Sequence, residues 1–233
     1  MRAAAALMLL LLMGGCGDAA PATPAPLALP PPAAAAPPSF TPTPEFAALV
    51  DHVRKRAALW REGAPINSLV LDSRVTVLNP VAIDCQRRPP AVLIDLDDAR
   101  HGPLQSDAAG IKAAPGWAET AAAIRAENVG IVWVTEQPAA RAADLAALLE
   151  RTGLDSARAD SVAGREAADD RKQQVRQRLA LRNCILAVVG DKRGDADEAY
   201  DYLRSAEISL PIDSNWGEGW FLLPPPITSV GVD

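Results

Sequence analysis

The chain has 233 residues, a formal net charge of −6 at pH 7, three cysteines and two histidines. An acidic chain without a basic stripe argues against nucleic acid as a partner. Three cysteines are too few for a disulfide scaffold, and two histidines argue against a histidine-rich metal site. The length suits one folded domain preceded by a leader and a linker.

The first residues have the composition of a secreted protein's leader. Residues 1–15 carry one positive charge, Arg2, and an apolar run too short to cross about 30 Å of hydrocarbon, which predicts a signal peptide. The sequence Met13-Gly14-Gly15-Cys16 resembles a bacterial lipobox, in which Cys16 is lipidated. An ordinary signal peptide with an incidental cysteine is the alternative. We expect a lipid anchor at the bacterial cell envelope. Since Gly17 and not aspartate follows Cys16, no residue there would retain the protein at the inner membrane, and we expect the anchor in the outer membrane facing the periplasm.

A linker and then a folded domain are predicted to follow. Residues 16–44 consist mostly of Ala, Pro and Thr, and such a stretch buries too little apolar surface to fold, which predicts a disordered spacer. The folded domain is predicted to span residues 45–233. It begins with a helix over Glu45–Arg61, where apolar residues recur at helical spacing. The next segment, Ser68–Val81, fits either a short strand or an irregular packing segment.

Strands and helices are predicted to alternate from residue 91 onward. Continuous apolar runs, typical of strands buried on both faces, occupy 91–94, 129–134 and 184–189, and a last strand is predicted at 220–223. Helices are predicted at 115–127, 138–151, 166–181 and 195–205. This alternation predicts an α/β fold with a Rossmann-like parallel sheet and helices on both faces.

Polar residues follow each of the three buried strands. Asp95-Leu96-Asp97-Asp98 ends the first, Thr135 ends the second, and Gly190-Asp191 ends the third, with Asp195 shortly after. In a parallel sheet these ends lie at one edge, where ligands bind. Crowded carboxylates at that edge need a cation, and a set of oxygen ligands suits Mg²⁺.

The alternation in Asp95-Leu96-Asp97 adds a reaction to this site. Residues i and i+2 of an extended backbone face the same side. Both carboxylates can therefore approach one phosphorus atom, one as the nucleophile and the other as the proton donor. This arrangement predicts phosphoryl transfer through an aspartyl-phosphate.

Taken in order, these motifs resemble the four motifs of the haloacid dehalogenase superfamily, and in particular its secreted and lipoprotein acid phosphatases of class C and class B type. The resemblance covers residues 89–226 and includes Lys172, which precedes Asp191 in the chain. It implies that Asp95 is the nucleophile and Asp97 the general acid and base. It further implies that Thr135 holds the phosphoryl oxygens and that Lys172 neutralises charge.

The same resemblance implies the cofactor and the shape of the fold. The Mg²⁺ site would comprise Asp95, Asp97 through its backbone carbonyl, and Asp191, with Asp195 in support. Class C enzymes carry a long, aromatic-rich insertion after the first motif that stacks on a nucleoside. This chain has a shorter segment there, which predicts a small or absent cap.

Departures from the family pattern leave a second function open. Asp98-Ala99 stands where the family usually has Glu-Thr, and Glu136-Gln137 where it usually has Asn-Arg. We predict an Mg²⁺-dependent acid phosphatase that hydrolyses small phosphomonoesters outside the cytoplasm. A catalytically weak or inactive binding or scaffolding lipoprotein is the alternative. The sequence leaves the substrate and the oligomeric state open.

Charged residues near the motifs have simpler interpretations. Asp98 and Asp197 are interpreted as solvated or capping residues. Arg171 and Arg176 accompany Lys172 in a polar helix. These two arginines are interpreted either as residues that attract phosphate or as residues of a solvated helix face.

Two cysteines remain after Cys16. A secreted protein folds in an oxidising compartment, where Cys85 and Cys184 can pair. The resemblance implies that the strands following these two cysteines are neighbours. A disulfide bridge and two separate buried thiols both remain compatible with the sequence.

Overall fold

The computed structural model describes residues 43–72, 77–85, 87–105, 110–205 and 207–229. The predicted signal peptide, Cys16 and nearly all of the predicted linker lie outside these residues. Across the described ranges, no helix combines the length and apolar character needed to cross a membrane.

Helices and strands alternate along the described residues. The helices are α1 (Pro44–Arg61), α2 (Trp117–Ala126), α3 (Ala142–Thr152) and α4 (Lys172–Arg182). The strands are β1 (Asn67–Leu71), β2 (Ala82–Asp84), β3 (Pro90–Asp95), β4 (Ile111–Ala113), β5 (Gly130–Pro138), β6 (Ser161–Arg165), β7 (Cys184–Gly190), β8 (Trp220–Leu222) and β9 (Ile227–Ser229). Short 3-10 helices lie at Ala139–Arg141, Arg193–Asp195, Glu198–Tyr202 and Pro211–Asn215.

The central feature is a five-stranded parallel sheet in the order β6-β5-β3-β7-β8. Every residue of β3 and of β7 is buried. Strands buried on both faces require a covering layer on each side of the sheet. This sheet has such a layer on each of its two faces. The predicted α/β class with a Rossmann-like parallel sheet is therefore confirmed.

Alternate residues of β3 point into two separate cores. Val92 and Ile94 belong to the core on the face covered by α1, α2 and α3. Ala91 and Leu93 belong to the opposite core, which includes residues of α4 and β1. This alternation follows from the two-residue period of an extended strand.

Two predicted helices differ from the observed ones, and side-chain carboxylates explain both differences. The helix predicted at 166–181 begins only at Lys172, because Asp170 accepts hydrogen bonds from the backbone N–H groups of Glu166 and Ala167 and closes a turn. The helix predicted at 195–205 is replaced by 3-10 helices, one of which is capped by Asp197. Aspartate competes for backbone donors in this way and favours turns over helix interiors.

Some strands were not predicted at all. β6 has the sequence Ser-Val-Ala-Gly-Arg and is only partly buried, so it lacks the apolar run that identifies a central strand. It forms by pairing with β5 at the edge of the sheet. The undecided segment Ser68–Val81 contains most of β1, which pairs antiparallel with β2. Between β3 and α2, the described residues form a loop and the short strand β4, which pairs with β9.

Cys85 and Cys184 form a disulfide bridge with their Cα atoms 4.8 Å apart. β3 and β7 are neighbours, as the resemblance implied, and Cys184 donates a backbone hydrogen bond to Pro89. Of the two alternatives for these cysteines, the bridge is therefore the observed one. It lies at the amino-terminal edge of the sheet, opposite the ends of the strands that carry the predicted site.

Candidate active site

The predicted site residues converge at the carboxyl edge of the parallel sheet. Asp95 is the last residue of β3, Asp191 directly follows β7, and Lys172 is the first residue of α4. One carboxylate oxygen from each of Asp95, Asp191 and Asp195 lies within 4.8 Å of the others. The sheet thus brings together side chains that are far apart in the sequence.

Lys172 is the central cation of this cluster. Its Nζ lies 2.9 Å from both carboxylate oxygens of Asp95. The same atom lies 3.2 Å from Asp97 Oδ2 and 3.3 Å from Asp195 Oδ1. Burial by itself lowers the pKa of Lys172, but the surrounding carboxylates outweigh burial and raise it. Lys172 therefore stays charged and compensates several buried negative charges.

Asp97 is held by donors from β5 and from the loop that follows β3. The Thr135 hydroxyl donates to Asp97 Oδ1 over 2.7 Å, and the Glu136 backbone N–H donates to Oδ2 over 2.7 Å. The backbone N–H of Leu104 also donates to Oδ1, over 3.1 Å. These contacts fix the orientation of the Asp97 carboxylate.

Thr135 lies at the site, but its hydroxyl contacts a different group from the one the resemblance implied. The side chain is fully buried, its hydroxyl donates to Asp97, and the same oxygen accepts the backbone N–H of Gln137. In this arrangement Thr135 positions the proposed acid and base. Contact with a phosphoryl oxygen would require the hydroxyl to turn away from Asp97.

Asp191 and Asp195 are oriented by backbone donors. Asp195 Oδ2 accepts the backbone N–H groups of Asp191 and Lys192, each over 3.1 Å. Asp191 Oδ2 accepts the backbone N–H of Ala99 over 2.8 Å. A backbone donor of the first motif therefore reaches Asp191 even though residue 99 lacks a threonine hydroxyl.

The residues present fit a divalent cation. The other oxygen of Asp191, Oδ1, is buried and has no hydrogen-bond partner among the described residues. A buried carboxylate oxygen is normally paired, and a cation would satisfy it. Asp95, Asp191 and Asp195 supply oxygen ligands only, a donor set that suits hard cations such as Mg²⁺.

Burial also affects the protonation of two carboxylates in the cluster. Burial raises the pKa of Asp95 well above its ordinary range, and the neighbouring carboxylates add to this shift while Lys172 opposes it. Burial likewise raises the pKa of Asp191. Crowded carboxylates that favour protonation are those that a bound cation would return to the ionised state.

Glycine before Asp191 is a requirement that the sequence motifs did not reveal. Gly190 is the last residue of β7, and a Cβ atom built there would overlap the side chain of Asp195. Any larger residue would displace Asp195. The Gly-Asp pair at the strand end was a visible signal, but only the close approach of Asp195 explains it.

The arginines near Lys172 have different environments. Arg171 is exposed and pairs with Glu198 over 2.8 Å, which agrees with a solvated helix face. Arg176 is 1% exposed, so the interpretation of a solvated face is wrong for this residue. The side chain of Asp197 caps a 3-10 helix, as one of its interpretations held, but it is buried and not solvated.

The fold and site define an α/β protein with a carboxylate-lined site around one lysine. No protein-family model and no curated protein matches the chain. Two solved structures of the class C acid phosphatase from Bacillus anthracis, one of them with tungstate bound, are similar to it at TM-scores of 0.44 and 0.43. Their sequences are 14% and 15% identical to this one, and the similarity covers 80% of both chains in the first case and 79% in the second. The function is therefore inferred from the geometry of the site.

Proposed function

We propose that this chain is a metal-dependent acid phosphatase that hydrolyses small phosphomonoesters through an aspartyl-phosphate on Asp95. The observation that carries this proposal is the convergence of Asp95 and Asp97 on Lys172, beside the unpaired oxygen of Asp191. The cluster combines a nucleophile, a proton carrier, a fixed cation and a place for a metal ion. Those are the requirements of phosphoryl transfer through a carboxylate.

In the first half of the reaction, an oxygen of Asp95 forms a bond to phosphorus. The bond between phosphorus and the leaving oxygen breaks, and the protonated Asp97 carboxyl donates its proton to that oxygen. Lys172 lies within 3.2 Å of both carboxylates and would offset the charge of the phosphoryl group as it is transferred.

In the second half, Asp97 acts as a base. It takes a proton from a water molecule, whose oxygen forms a bond to phosphorus while the bond to Asp95 breaks and phosphate leaves. The donors from Thr135 and Glu136 keep the Asp97 carboxylate oriented as a proton acceptor. The cycle returns Asp95 as a carboxylate and Asp97 as an acid.

Asp95, Asp191 and Asp195 are the residues that would hold the metal, which we propose is Mg²⁺. When bound, it would supply positive charge to the phosphoryl oxygens. The oxygen-only donor set and the unpaired Asp191 Oδ1 support this assignment. Calorimetric titration of the metal-free protein with Mg²⁺ tests it directly, with Asp191→Asn as the variant expected to lose binding.

We further propose that the protein is lipidated at Cys16 and anchored at the cell envelope, with its site facing the periplasm. The support is the run Met13-Gly14-Gly15-Cys16 at the end of an apolar segment. Several acyl chains on one cysteine would hold the protein firmly to a membrane. Cys16→Ser should release it into the soluble fraction or leave it unprocessed, whereas wild-type protein without lipid by mass spectrometry would refute the anchor.

A weakly active or inactive binding protein remains the alternative, and one contact favours it. Glu136 places a carboxylate 4.0 Å from Lys172 Nζ, where it would compete with a phosphoryl group. The Glu136 side chain is 45% exposed and can turn toward solvent. If Glu136 obstructs the site, Glu136→Asn should raise turnover above that of the wild type.

Hydrolysis of p-nitrophenyl phosphate by the full-length chain decides between the two functions. We expect turnover with Mg²⁺, loss of turnover after chelation, and loss in Asp95→Asn. Asp144→Asn is the matched control, because Asp144 is exposed on α3 and pairs with Arg141 away from the cluster. Absence of turnover in the wild type with Mg²⁺ and other divalent cations would favour the binding protein.

A further inference from the structure

A polar cavity of about 240 Å³ adjoins the proposed active site. It shares Lys172 and Asp195 with the site, and Arg176 also lines it. Its position next to Lys172 means that a substrate whose phosphoryl group lies at Asp95 could extend into it. The cavity is therefore a candidate for the part of the substrate that does not react.

Arg176 has hydrogen-bond donors without partners. Its Nη2 donates to the side chain of Gln173 and, over 3.3 Å, to the carbonyl of Gly194. Its Nε and Nη1 are buried and have no partner among the described residues. Unpaired N–H groups on a buried cation are unfavourable, so these groups favour an acceptor in the cavity.

Two other basic residues that line the cavity pair with acidic side chains. Arg171 pairs with Glu198 over 2.8 Å, and Lys192 lies 3.8 Å from Asp201. These pairs also offset the acidic side chains that line the cavity.

Arg165 donates to the backbone carbonyls of Glu136 and Ala168. These donors therefore bind the end of β5 and the segment before α4. Arg176, in contrast, retains donors for a ligand.

The spacing along α4 sets the distance between the two cations. Lys172 and Arg176 are four residues apart, so they lie on one helix face about 6 Å apart along the axis. In the proposed function Lys172 faces the reacting phosphoryl group. A second anionic group at that distance from the first would reach Arg176.

We infer that this cavity is a subsite for a second anionic group on the substrate, a phosphate or a carboxylate, held by Arg176. The inference rests on the proposed function, since it places the reacting phosphoryl group at Asp95 and Lys172. It narrows the substrate class to small phosphomonoesters that carry two anionic groups.

Binding of phosphonates tests the subsite without turnover, because the proposed reaction does not break a carbon–phosphorus bond. The probes are propylphosphonate, with one anionic group, and two three-carbon probes with two anionic groups each, propane-1,3-diphosphonate and 3-phosphonopropionate. The full-length chain with Mg²⁺ is titrated by calorimetry. We expect at least one probe with two anionic groups to bind about tenfold more tightly than propylphosphonate, the scale of one or two hydrogen bonds to charged groups. Which probe is preferred distinguishes a phosphate from a carboxylate.

The variants assign that preference to one residue. Arg176→Met should reduce it below about threefold, and the control Arg182→Met should keep it, because Arg182 is exposed at the far end of α4. If thermal melting shows that Arg176→Met is unfolded, Arg176→Lys replaces it, and the same loss is expected because an ammonium group cannot supply the guanidinium donors. A wild type without preference, or a folded Arg176 variant that keeps it, overturns the subsite.

Turnover of p-nitrophenyl phosphate by the same samples separates this inference from the proposed function. Preference for a probe with two anionic groups, without turnover, would support an anion subsite and refute the phosphatase. Turnover without that preference would support the phosphatase and refute the subsite.

Discussion

Lys172 donates to both carboxylate oxygens of Asp95, each over 2.9 Å, although 77 positions separate the two residues in the chain. The contact joins the start of α4 to the end of β3. It makes one buried lysine responsible both for the charge balance of the cluster and for the proposed transfer chemistry. We therefore expect the stability of the fold and the proposed activity to depend on the same residue.

Replacing Lys172 with methionine should destabilise the protein and abolish phosphatase activity. Removal of one partner from a buried ion pair costs about 3 to 5 kcal/mol, because the remaining charge has no compensation. Since the carboxylates left behind can take up protons, the loss measured by urea unfolding should be smaller at pH 5 than at pH 7. Arg182→Met controls for removal of a basic residue from the same helix. Equal destabilisation at both pH values would contradict this explanation.

Thr135→Val should reduce kcat more than it changes KM. Valine has the shape of threonine without the hydroxyl that donates to Asp97 over 2.7 Å. If Thr135 positions Asp97, the substitution impairs proton transfer while substrate binding persists, and Thr135→Ser should restore activity in part. Steady-state kinetics with p-nitrophenyl phosphate measure both constants. A rise in KM with constant kcat would instead support the phosphoryl contact implied by the family resemblance.

Gly190→Ala should lower both Mg²⁺ affinity and the melting temperature. The added methyl group would overlap the side chain of Asp195. The end of β7 cannot move to relieve this overlap, because the strand is fully buried. Gly130→Ala is a matched control in the same sheet, since a Cβ there meets only the carbonyl oxygen of Pro90 at 3.6 Å, an ordinary contact. Calorimetric titration and thermal melting report the two effects. Unchanged metal binding in Gly190→Ala would show that Asp195 is not required for the metal.

Removal of the disulfide should reduce stability and leave the chemistry intact. The bridge between Cys85 and Cys184 spans 99 positions and would stabilise by about 3 to 5 kcal/mol in the chain-entropy model. The double variant Cys85→Ala, Cys184→Ala should unfold at lower urea concentration but keep the wild-type kcat well below its melting temperature. Titration of two free thiols in the oxidised wild-type protein would rule out the bridge.

A cluster away from the site should set part of the pH dependence of stability. Burial and a hydrogen bond to Asp213 raise the pKa of Tyr200 to about 12, while hydrogen bonds, the largest from Tyr200, overcome burial and lower the pKa of Asp213 to about 2. The depressed pKa stabilises the fold above about pH 4, and this contribution is lost as the pH falls toward 2. The raised pKa stabilises it below about pH 10, and this contribution is lost as the pH rises toward 12.

Urea unfolding across the pH range measures both contributions. Asp213→Asn should flatten the acidic arm of the stability profile, because an amide does not titrate. Tyr200→Phe should flatten the alkaline arm for the same reason. An acidic arm that keeps its wild-type slope in Asp213→Asn would assign that arm to other carboxylates.

The amino-acid sequence by itself determined the α/β class, the central strands and the residues at their ends. Local patterns suffice there, because a strand buried on both faces must be an apolar run, and polar residues at its carboxyl end therefore stand out in the sequence. Asp95, Asp97, Asp191 and Asp195 were therefore identifiable as candidate site residues, whereas Lys172 was assigned to the site only by the family resemblance.

Only the tertiary structure decided the remaining features, because each depends on a partner that is distant in the sequence. The edge strand β6 forms because it pairs with β5. The Thr135 hydroxyl on β5 donates to Asp97, which follows the neighbouring strand β3. Arg176 is buried although its helix is polar, and Cys85 meets Cys184 because β3 lies beside β7. The periodicity of the sequence shows which face of an element is apolar, but it does not show which residues of other elements contact that element.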